Sequence, residues 1–243
     1  MLISVIVPAY NEERYIGPTL ESIKQAQQLL LKEKGFAAEL IVVDNGSTDS
    51  TASIARSLGA QIFNEPAHNV ARVRNAGASR ASGNVLVFVD ADVLVPPGLL
   101  CRIHEAMSDE RCLGGALDTD YRPIKYSVKA YLRAWRLIGR LAGMAQGAAQ
   151  FCRKDIYAAL HGYDETLYMG EDVDFYWRLK RFAGRRRQGG YVQFICDMQV
   201  VPSSRRFDQW FLWRTLIWTN PLFILLFRRR KGVWKGWYSV APR

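Results

Sequence analysis

Two aspartates placed two residues apart are the clearest chemical signal in this sequence. Asp90 and Asp92 follow the apolar run 84–89, which is typical of a strand buried on both faces. In an extended segment, residues two apart point to the same side, so the two carboxylates would lie close together. Because they repel each other and are costly to bury unpaired, a cation is their natural partner. Oxygen ligands suit Mg²⁺ or Mn²⁺, which keep positions open for substrate phosphates.

For an Asp-x-Asp pair taken alone, two solvated loop aspartates are the simpler interpretation. The elements around the pair favour the metal site. Apolar runs predict strands at 3–7, 40–43, 61–63 and 84–89, and apolar periodicity predicts helices over about 12–34, 50–58 and 71–81. This alternation predicts an α/β fold with right-handed crossovers and a mostly parallel, Rossmann-like central sheet flanked by helices.

Ligands of such sheets bind beyond the carboxyl ends of the strands. Polar turns follow three of the predicted strands, at residues 8–11, 44–46 and 90–92. The first turn has no G-x-G-x-x-G and the chain has no Walker A sequence, which argues against a glycine cradle for phosphates. The pattern therefore indicates a binding site for a nucleotide whose phosphates are bound by a metal ion.

Composition sets broad limits. The 243 residues suffice for one large domain with a tail, and 33 basic against 23 acidic residues give a net charge of +10. A basic balance suits nucleic acid, an anionic membrane surface or anionic substrates. The four cysteines show no C-x-x-C spacing and the start shows no signal peptide, so we expect reduced thiols and a cytoplasmic location.

The order of several motifs resembles that of the family 2 glycosyltransferases, which have the GT-A fold. The resemblance covers roughly residues 1 to 185. It rests on the segments ISVIVPAYNE at 3–12, VDNGSTD at 43–49, RNAG at 74–77, VDAD at 89–92, GYDE at 162–165 and GEDVDF at 170–175.

The resemblance implies a donor side built by the first 95 residues. Asp44 would hold the nucleoside, although it could instead cap its own turn. Arg74 would offset pyrophosphate charge, although a solvated arginine on a helix face is the alternative. The implied nucleotide-sugar-binding residues are Pro8, Ala9, Tyr10, Glu12, Asp44, Arg74, Asp90, Ala91 and Gly147, and the implied metal ligands are Asp92 and Asp90.

On the acceptor side, the resemblance makes Asp172 the general base and Glu171 the residue that orients it or binds the acceptor. We expect Asp172 to be ionised near neutrality, held so by the helix terminus and nearby basic groups. Acids that merely stabilise the first turn of a helix over about 171–182 are the alternative. Gly147 lies in the small-residue segment 145–151 and would let the backbone approach the donor sugar. The alternative is that it only permits tight packing where a strand or helix meets its neighbour.

One family feature is missing. A histidine often follows the Glu-Asp helix as a further metal ligand, but all three histidines of this chain lie upstream of it. Water and phosphates would then complete the coordination shell of the metal ion bound by Asp92, or Ser203 or Ser204 would be a weak further ligand. Arg205 and Arg206 could engage the pyrophosphate or form a basic rim.

The predicted organisation is a catalytic domain over 1–205, with a nucleotide-sugar half at 1–95 and an acceptor half at 96–205, followed by a helical tail at 206–243. Within the acceptor half, the basic, amphipathic stretch 117–141 is expected to be helical and to help form the acceptor site. The tail interleaves arginines with seven large aromatic residues, which suits a membrane surface, while packing on the domain or on a second subunit is the alternative. Those residues are Trp210, Trp213, Trp218, Phe223, Phe227, Trp234 and Trp237.

The resemblance implies a metal-dependent, inverting glycosyltransferase that uses Mn²⁺ or Mg²⁺ and a UDP- or GDP-linked sugar. The acceptor would be lipid-linked or a saccharide, and the absence of Gln-x-x-Arg-Trp favours a single addition. A nucleotidyltransferase acting on a sugar phosphate could use the same acids. A basic nucleic-acid- or membrane-binding module without catalysis is the other class, but no nucleic-acid motif supports it and we expect no nucleic-acid partner.

Overall fold

A computed structural model describes residues 1–141, 147–186 and 189–234. Within these residues, a mixed sheet of eight strands has the order β3-β2-β1-β4-β7-β6-β8-β5. The strands are β1 (Ile3–Ala9), β2 (Ala38–Asp44), β3 (Gln61–Asn64), β4 (Val85–Val89), β5 (Val93–Leu94), β6 (Cys112–Thr119), β7 (Ala149–Arg153) and β8 (Tyr191–Pro202).

The described helices flank this sheet. They are α1 (Ile16–Lys34), α2 (Thr51–Ser57), α3 (Val70–Arg80), α4 (Leu99–Ser108), α5 (Tyr126–Leu141), α6 (Lys154–Ala159), α7 (Glu171–Arg185), α8 (Arg205–Gln209), α9 (Leu212–Trp218) and α10 (Pro221–Phe227). The first helix begins four residues later than the sequence predicts. The reason is that the Glu12 carbonyl closes a turn with the Tyr15 amide, and the Glu12 amide donates to Thr51 Oγ1.

The first half of the chain forms the predicted parallel sheet. Strands β3, β2, β1 and β4 pair with one another in parallel. Side chains alternate across this sheet, since Ile3, Val5 and Val7 pack with α1 and α4 while Ile6 packs with α3 and α7. The two apolar layers hold the carboxyl ends of the strands at one edge.

The second half departs from the predicted helix over 117–141. Residues 117–119 complete β6, and the helix begins only at Tyr126. Pro123 lies between them and disfavours helical backbone for the residue before it, so the strand and the helix are separated. Val93 and Leu94 form the short strand β5, which the sequence did not predict, and they pair antiparallel with β8. Strand β7 runs antiparallel to both β4 and β6.

The helices after β8 pack on the rest of the chain. Phe207 contacts the cluster of Val128 and Leu132 on α5, and Trp210 and Trp234 are buried. No helix within 1–141, 147–186 and 189–234 is long and apolar enough to cross a bilayer. Trp237 lies outside the described residues, and the division of the chain at residue 205 stays a prediction.

Candidate active site

A cavity of about 1000 Å³ opens at the carboxyl ends of β1 and β4. It collects side chains from both halves of the chain, and it contains all but one of the site residues that the sequence predicted. Those lining it are Pro8, Ala9, Tyr10, Glu12, Arg74, Asp90, Ala91, Asp92, Gly147, Glu171 and Asp172.

Asp44 is the predicted residue that does not line this cavity. It is buried at the end of β2, and its Oδ2 accepts a hydrogen bond of 3.2 Å from the Ser47 amide. This contact is the turn cap that the sequence offered as the alternative. A role of Asp44 in holding the nucleoside stays a prediction.

Asp90 and Asp92 lie in a turn rather than in an extended segment. Strand β4 ends at Val89, and the Val93 amide donates to the Asp90 carbonyl at 3.2 Å. Two neighbouring segments fix this turn, because the Asp90 amide donates to the Ala148 carbonyl at 3.2 Å and the Ser203 amide donates to the Asp92 carbonyl at 2.8 Å. The expectation of extended geometry was wrong, but both carboxylates still reach the cavity.

Arg74 connects the two sides of the site. Its Nη2 donates to Asp90 Oδ1 at 2.7 Å and its Nη1 donates to Glu171 Oε1 at 2.6 Å. The side chain also lies over the Tyr163 ring, with the guanidinium carbon 5.2 Å from the ring centroid. Only 3% of Arg74 is exposed, so the interpretation as a solvated arginine is wrong. Its charge is desolvated and shared by two carboxylates of opposite halves of the chain.

Asp172 lies in the first turn of α7 against the start of β7. The Gln150 amide group donates to the Asp172 carbonyl at 3.1 Å, and Asp172 Oδ1 accepts from the Val173 amide at 2.8 Å. A Cβ atom at Gly147 would overlap the Asp172 carboxylate. Gly147 therefore lets the backbone approach Asp172, whereas its predicted approach to a donor sugar stays a prediction.

The acids of α7 are buried together. Burial raises the pKa of Glu171, to about 7, and Asp172 raises it further by repulsion while Arg74 opposes the rise. Burial also raises the pKa of Asp172, against the favourable charge of Arg74. We expected the helix terminus and basic groups to dominate at Asp172, but the loss of solvent outweighs them because the side chain is enclosed.

Arg205 lies after the Glu-Asp helix, in the part of the chain where the family often has a metal-binding histidine and this sequence has none. Its Nη2 lies 2.5 Å from Glu12 Oε1 and 3.2 Å from Asp92 Oδ2, and its guanidinium carbon lies 4.4 Å from the Tyr15 ring centroid. Arg205 is buried, so it is not part of a basic rim. Burial raises the pKa of Asp92 to about 6, although the Arg205 charge opposes the rise.

Two residues that the sequence interpretation missed lie at the donor end. The His68 ring lies 4.7 Å from the Tyr10 ring, and its Nδ1 is 3.3 Å from Asn45 Oδ1. Asn45 in turn donates to the Ala67 carbonyl at 2.8 Å, which holds the His68 loop against the sheet. Asn45 could have been found, since it follows a strand directly, but no sequence pattern marks His68.

The opposite end of the cavity is mainly apolar, and residues of the stretch 117–141, which the sequence expected at the acceptor site, line it without having been singled out one by one. Leu132 and Trp135 of α5 face Trp218, Leu222 and Leu225 of the last helices across it. This wall combines elements about 90 residues apart in sequence, so spacing alone gave no signal for it. One ion pair interrupts it, in which Arg136 contacts the buried carboxylate of Asp118.

The donor set fits a divalent ion that a bound nucleotide shares with the protein. Asp90 and Asp92 supply carboxylates at one edge, and the buried Glu12 Oε2 has no hydrogen-bond partner among the described residues. No group of three or more His, Cys, Asp or Glu side chains that could hold a metal exists in the described part of the chain. Magnesium commonly binds through one or two carboxylates plus substrate phosphates, which is the arrangement available here.

Known proteins share this fold. TarS of S. aureus superposes with a TM-score of 0.63 at 20% identity, covering 86% of this chain and 38% of TarS. A mannosyltransferase from Pyrobaculum calidifontis, solved with GDP-Man and Mn²⁺, gives 0.63 at 21% identity, covering 82% of this chain and 56% of that chain. Glucosyl-3-phosphoglycerate synthase from Mycobacterium tuberculosis, solved with Mn²⁺ and UDP-Glc, gives 0.60 at 20% identity and covers 93% and 78%.

Sequence relatives point to the same class of protein. A 4,4'-diaponeurosporenoate glycosyltransferase of Staphylococcus haemolyticus is 37% identical over 98 residues, which are 37% of this chain and 24% of the relative. A dolichyl-phosphate beta-glucosyltransferase of Trichomonas vaginalis is 36% identical over 98 residues, 37% of this chain and 30% of the relative. The matches thus span less than a third of these relatives. The sequence profile of Glycosyl transferase family 2 matches residues 4–160, and with its GT-A fold the chain belongs to that family.

Proposed function

We propose that this protein transfers a sugar from a nucleotide-diphosphate sugar to an acceptor hydroxyl, with inversion at the anomeric carbon. One observation carries the proposal. Arg74 joins the donor-side carboxylate of Asp90 to the acceptor-side carboxylate of Glu171 within a single cavity. A fold shared with proteins solved with UDP-Glc or GDP-Man and Mn²⁺ supports a UDP- or GDP-linked donor.

On the donor side, the Tyr10 and His68 rings lie where a base could stack, beside the strand ends. Asp90 and Asp92 would hold Mg²⁺ or Mn²⁺ together with the two phosphates. The bound ion supplies Lewis-acid stabilisation of the nucleoside diphosphate as it leaves. Arg74 compensates the charge of Asp90 at this end of the cavity, which lessens the repulsion between that carboxylate and an anionic donor.

On the acceptor side, Asp172 would remove the proton of the attacking hydroxyl. The oxygen forms its bond to the anomeric carbon while the bond to the phosphate oxygen breaks, and the proton stays on the carboxylate. Such an in-line displacement needs one base and no covalent nucleophile, so it inverts the configuration. Burial favours this role, because a carboxylate with a raised pKa is a stronger proton acceptor.

We also propose an apolar, lipid-linked acceptor presented at a membrane surface. The acceptor end of the cavity is walled by Trp135, Trp218 and Leu222, and α10 exposes Leu225 and Leu226 beside it. The basic run 228–231 follows α10 directly, which suits an anionic lipid surface. Two of the relatives are named a 4,4'-diaponeurosporenoate glycosyltransferase and a dolichyl-phosphate beta-glucosyltransferase.

A donor screen tests the proposed function. Thermal shifts are measured for UDP- and GDP-linked sugars with Mn²⁺ or Mg²⁺, and transfer is then assayed with the donor that stabilises the protein. We expect Asp92→Asn to lower kcat at least about 100-fold, since it removes a carboxylate that holds the metal–pyrophosphate unit. It should also abolish the metal-dependent part of the thermal shift.

Asp197→Asn is the matched control, because Asp197 makes an ion pair with Arg102 away from the cavity. Full activity of Asp92→Asn with a metal-dependent donor would contradict the proposal. Release of pyrophosphate from a nucleoside triphosphate and a sugar phosphate would instead establish a nucleotidyltransferase.

A further inference from the structure

We propose that Arg205 is a built-in counter-cation that competes with a divalent ion for Asp92 and Glu12. The metal would consequently bind tightly only together with the nucleotide. This inference rests on the proposed function, since it concerns the same donor site. It adds that tight metal binding requires the nucleotide and that Arg205 imposes this requirement.

The geometry brings two carboxylates to one nitrogen atom. Arg205 Nη2 lies 2.5 Å from Glu12 Oε1 and 3.2 Å from Asp92 Oδ2. Two anions this close together are stable only with a positive charge between them, and here the guanidinium supplies it. A divalent ion bound to both carboxylates would need the same space, so the two cations exclude each other.

Several contacts fix Arg205 in this position. The pairing of Val93 with Pro202 ties the end of β8 to the aspartate turn, and the Ser203 amide donates to the Asp92 carbonyl. The guanidinium carbon of Arg205 lies over the Tyr15 ring at 4.4 Å, where a cation is favoured. The arginine is therefore held beside Asp92 by backbone pairing and is not a solvated side chain that drifts into the site.

A metal ion that binds without a nucleotide must break the buried pairing of Arg205 with Glu12 and Asp92. In return it gains only two protein carboxylates as ligands. A metal ion that arrives with a nucleotide diphosphate brings phosphate ligands of its own, and the phosphates also give Arg205 a new anionic partner. Nucleotide and metal are then thermodynamically coupled, and each raises the affinity of the other by the same factor.

The test measures Mn²⁺ binding without any donor, by the loss of the electron paramagnetic resonance signal of free Mn²⁺. We expect Arg205→Gln to bind Mn²⁺ alone about tenfold or more tighter than wild type, because the competing charge is gone. Adding Asp92→Asn to this variant should remove the gain. Arg102→Gln removes one positive charge from the distant pair with Asp197 and should leave Mn²⁺ affinity unchanged.

Circular dichroism confirms that each variant folds, and Arg205→Lys provides a second variant that keeps the charge but cannot bridge both carboxylates. It should give an intermediate Mn²⁺ affinity.

The same Mn²⁺ titrations in the presence of UDP and of GDP distinguish failure of the Arg205 competition from failure of the proposed function. If wild type binds Mn²⁺ with a nucleotide but Arg205→Gln gains no affinity for Mn²⁺ alone, the competition is disproved and the proposed function stands. If wild type binds no Mn²⁺ even with nucleotide, the metal-dependent function fails as well.

Discussion

At the scale of single residues, buried charged side chains determine the ion pairs and the pKa values in this site. Arg74 and Arg205 each lie between two carboxylates, and each pairs with one aspartate of the turn after β4. Glu171 pairs with Arg74, whose charge also opposes the rise at Asp172, but the loss of solvent raises the pKa of both. The pKa of Asp172 is therefore set by burial more than by charge.

The pH dependence of transfer follows from this burial. The reacting form of Asp172 is the ionised carboxylate, so activity is full above its raised pKa and is lost as pH falls through it. We expect the acid limb of kcat/KM to lie well above the ordinary aspartate value of about 3.9. A limb at or below pH ~4 would show that burial does not control this base.

Replacement of the base separates binding from chemistry. Asp172→Asn should lower kcat about 100-fold or more while the donor still binds with metal, since the donor contacts lie on the other side of Arg74. Single-turnover transfer and the donor-induced thermal shift measure the two effects. Asp155→Asn, an acid in the first turn of α6 outside the cavity, is the control. Equal loss of donor binding and transfer in Asp172→Asn would contradict the assignment.

At this scale the sequence predicted which acids share the cavity better than what they contact. Asp90, Asp92, Glu171 and Asp172 stand in motifs whose order is recognisable, and all four line the cavity. The pairing of Arg205 with Glu12 was not predictable, because it joins residues 193 positions apart. Short-range spacing carries no information on such a contact.

At the scale of elements, β7 positions the base. The strand runs antiparallel beside β4, and Gly147 just before it touches Asp172. We expect Gly147→Ala to lower kcat at least about tenfold, because the added Cβ must displace the carboxylate or the strand start. Steady-state transfer and thermal unfolding of the same preparations check this.

Gly184→Ala is the control for this substitution. Gly184 lies in α7, and a Cβ there meets nothing within 4 Å. It should keep full activity and gain about 0.5–1 kcal/mol of stability, since alanine is the better helix former. Wild-type kcat in Gly147→Ala would show that the close approach to Asp172 is not required.

The parallel half of the sheet was predictable, and the mixed half formed by β5 to β8 was not. Strands β1, β2 and β4 are continuous apolar runs closed by polar turns, which is a strong local signal. Strand β6 contains Gly114 and Gly115, which have no side chains to show alternation, and its last three residues, 117–119, were taken for part of a helix. Its place in the sheet comes from pairing with β7 and β8, which are distant in sequence.

For the whole molecule, the structure shows the tail packed on the domain, and its contact with a membrane surface stays a prediction. One side packs on the domain, where Tyr131 and Thr219 hydroxyls lie 2.7 Å apart and the Tyr168 amide donates to the Arg228 carbonyl at 2.7 Å. The other side leaves Trp213 62% and Leu226 73% exposed. Packing thus accounts for one face of the tail and leaves an apolar face beside the cavity.

We expect this face to bind anionic lipid. Leu226→Glu should weaken sedimentation with phosphatidylglycerol vesicles about tenfold, because it places a like charge on the face that would enter the lipid. Leu31→Glu is the control, since Leu31 of α1 is 58% exposed outside the cavity. Donor binding should remain unchanged in both variants. Equal vesicle binding by Leu226→Glu and wild type would remove the support for a membrane-presented acceptor.

The contact between Glu12 and Arg205 has a consequence for how the protein is made. Both carboxylates of the pairing belong to the first 92 residues, but their counter-cation lies 193 positions after Glu12. While the chain is being synthesised, the nucleotide half leaves the ribosome long before Arg205 does. Under the proposed competition, the emerging chain would present Glu12 and Asp92 to divalent ions without the arginine that later competes for them, and the competition would begin only when β8 has paired with β5.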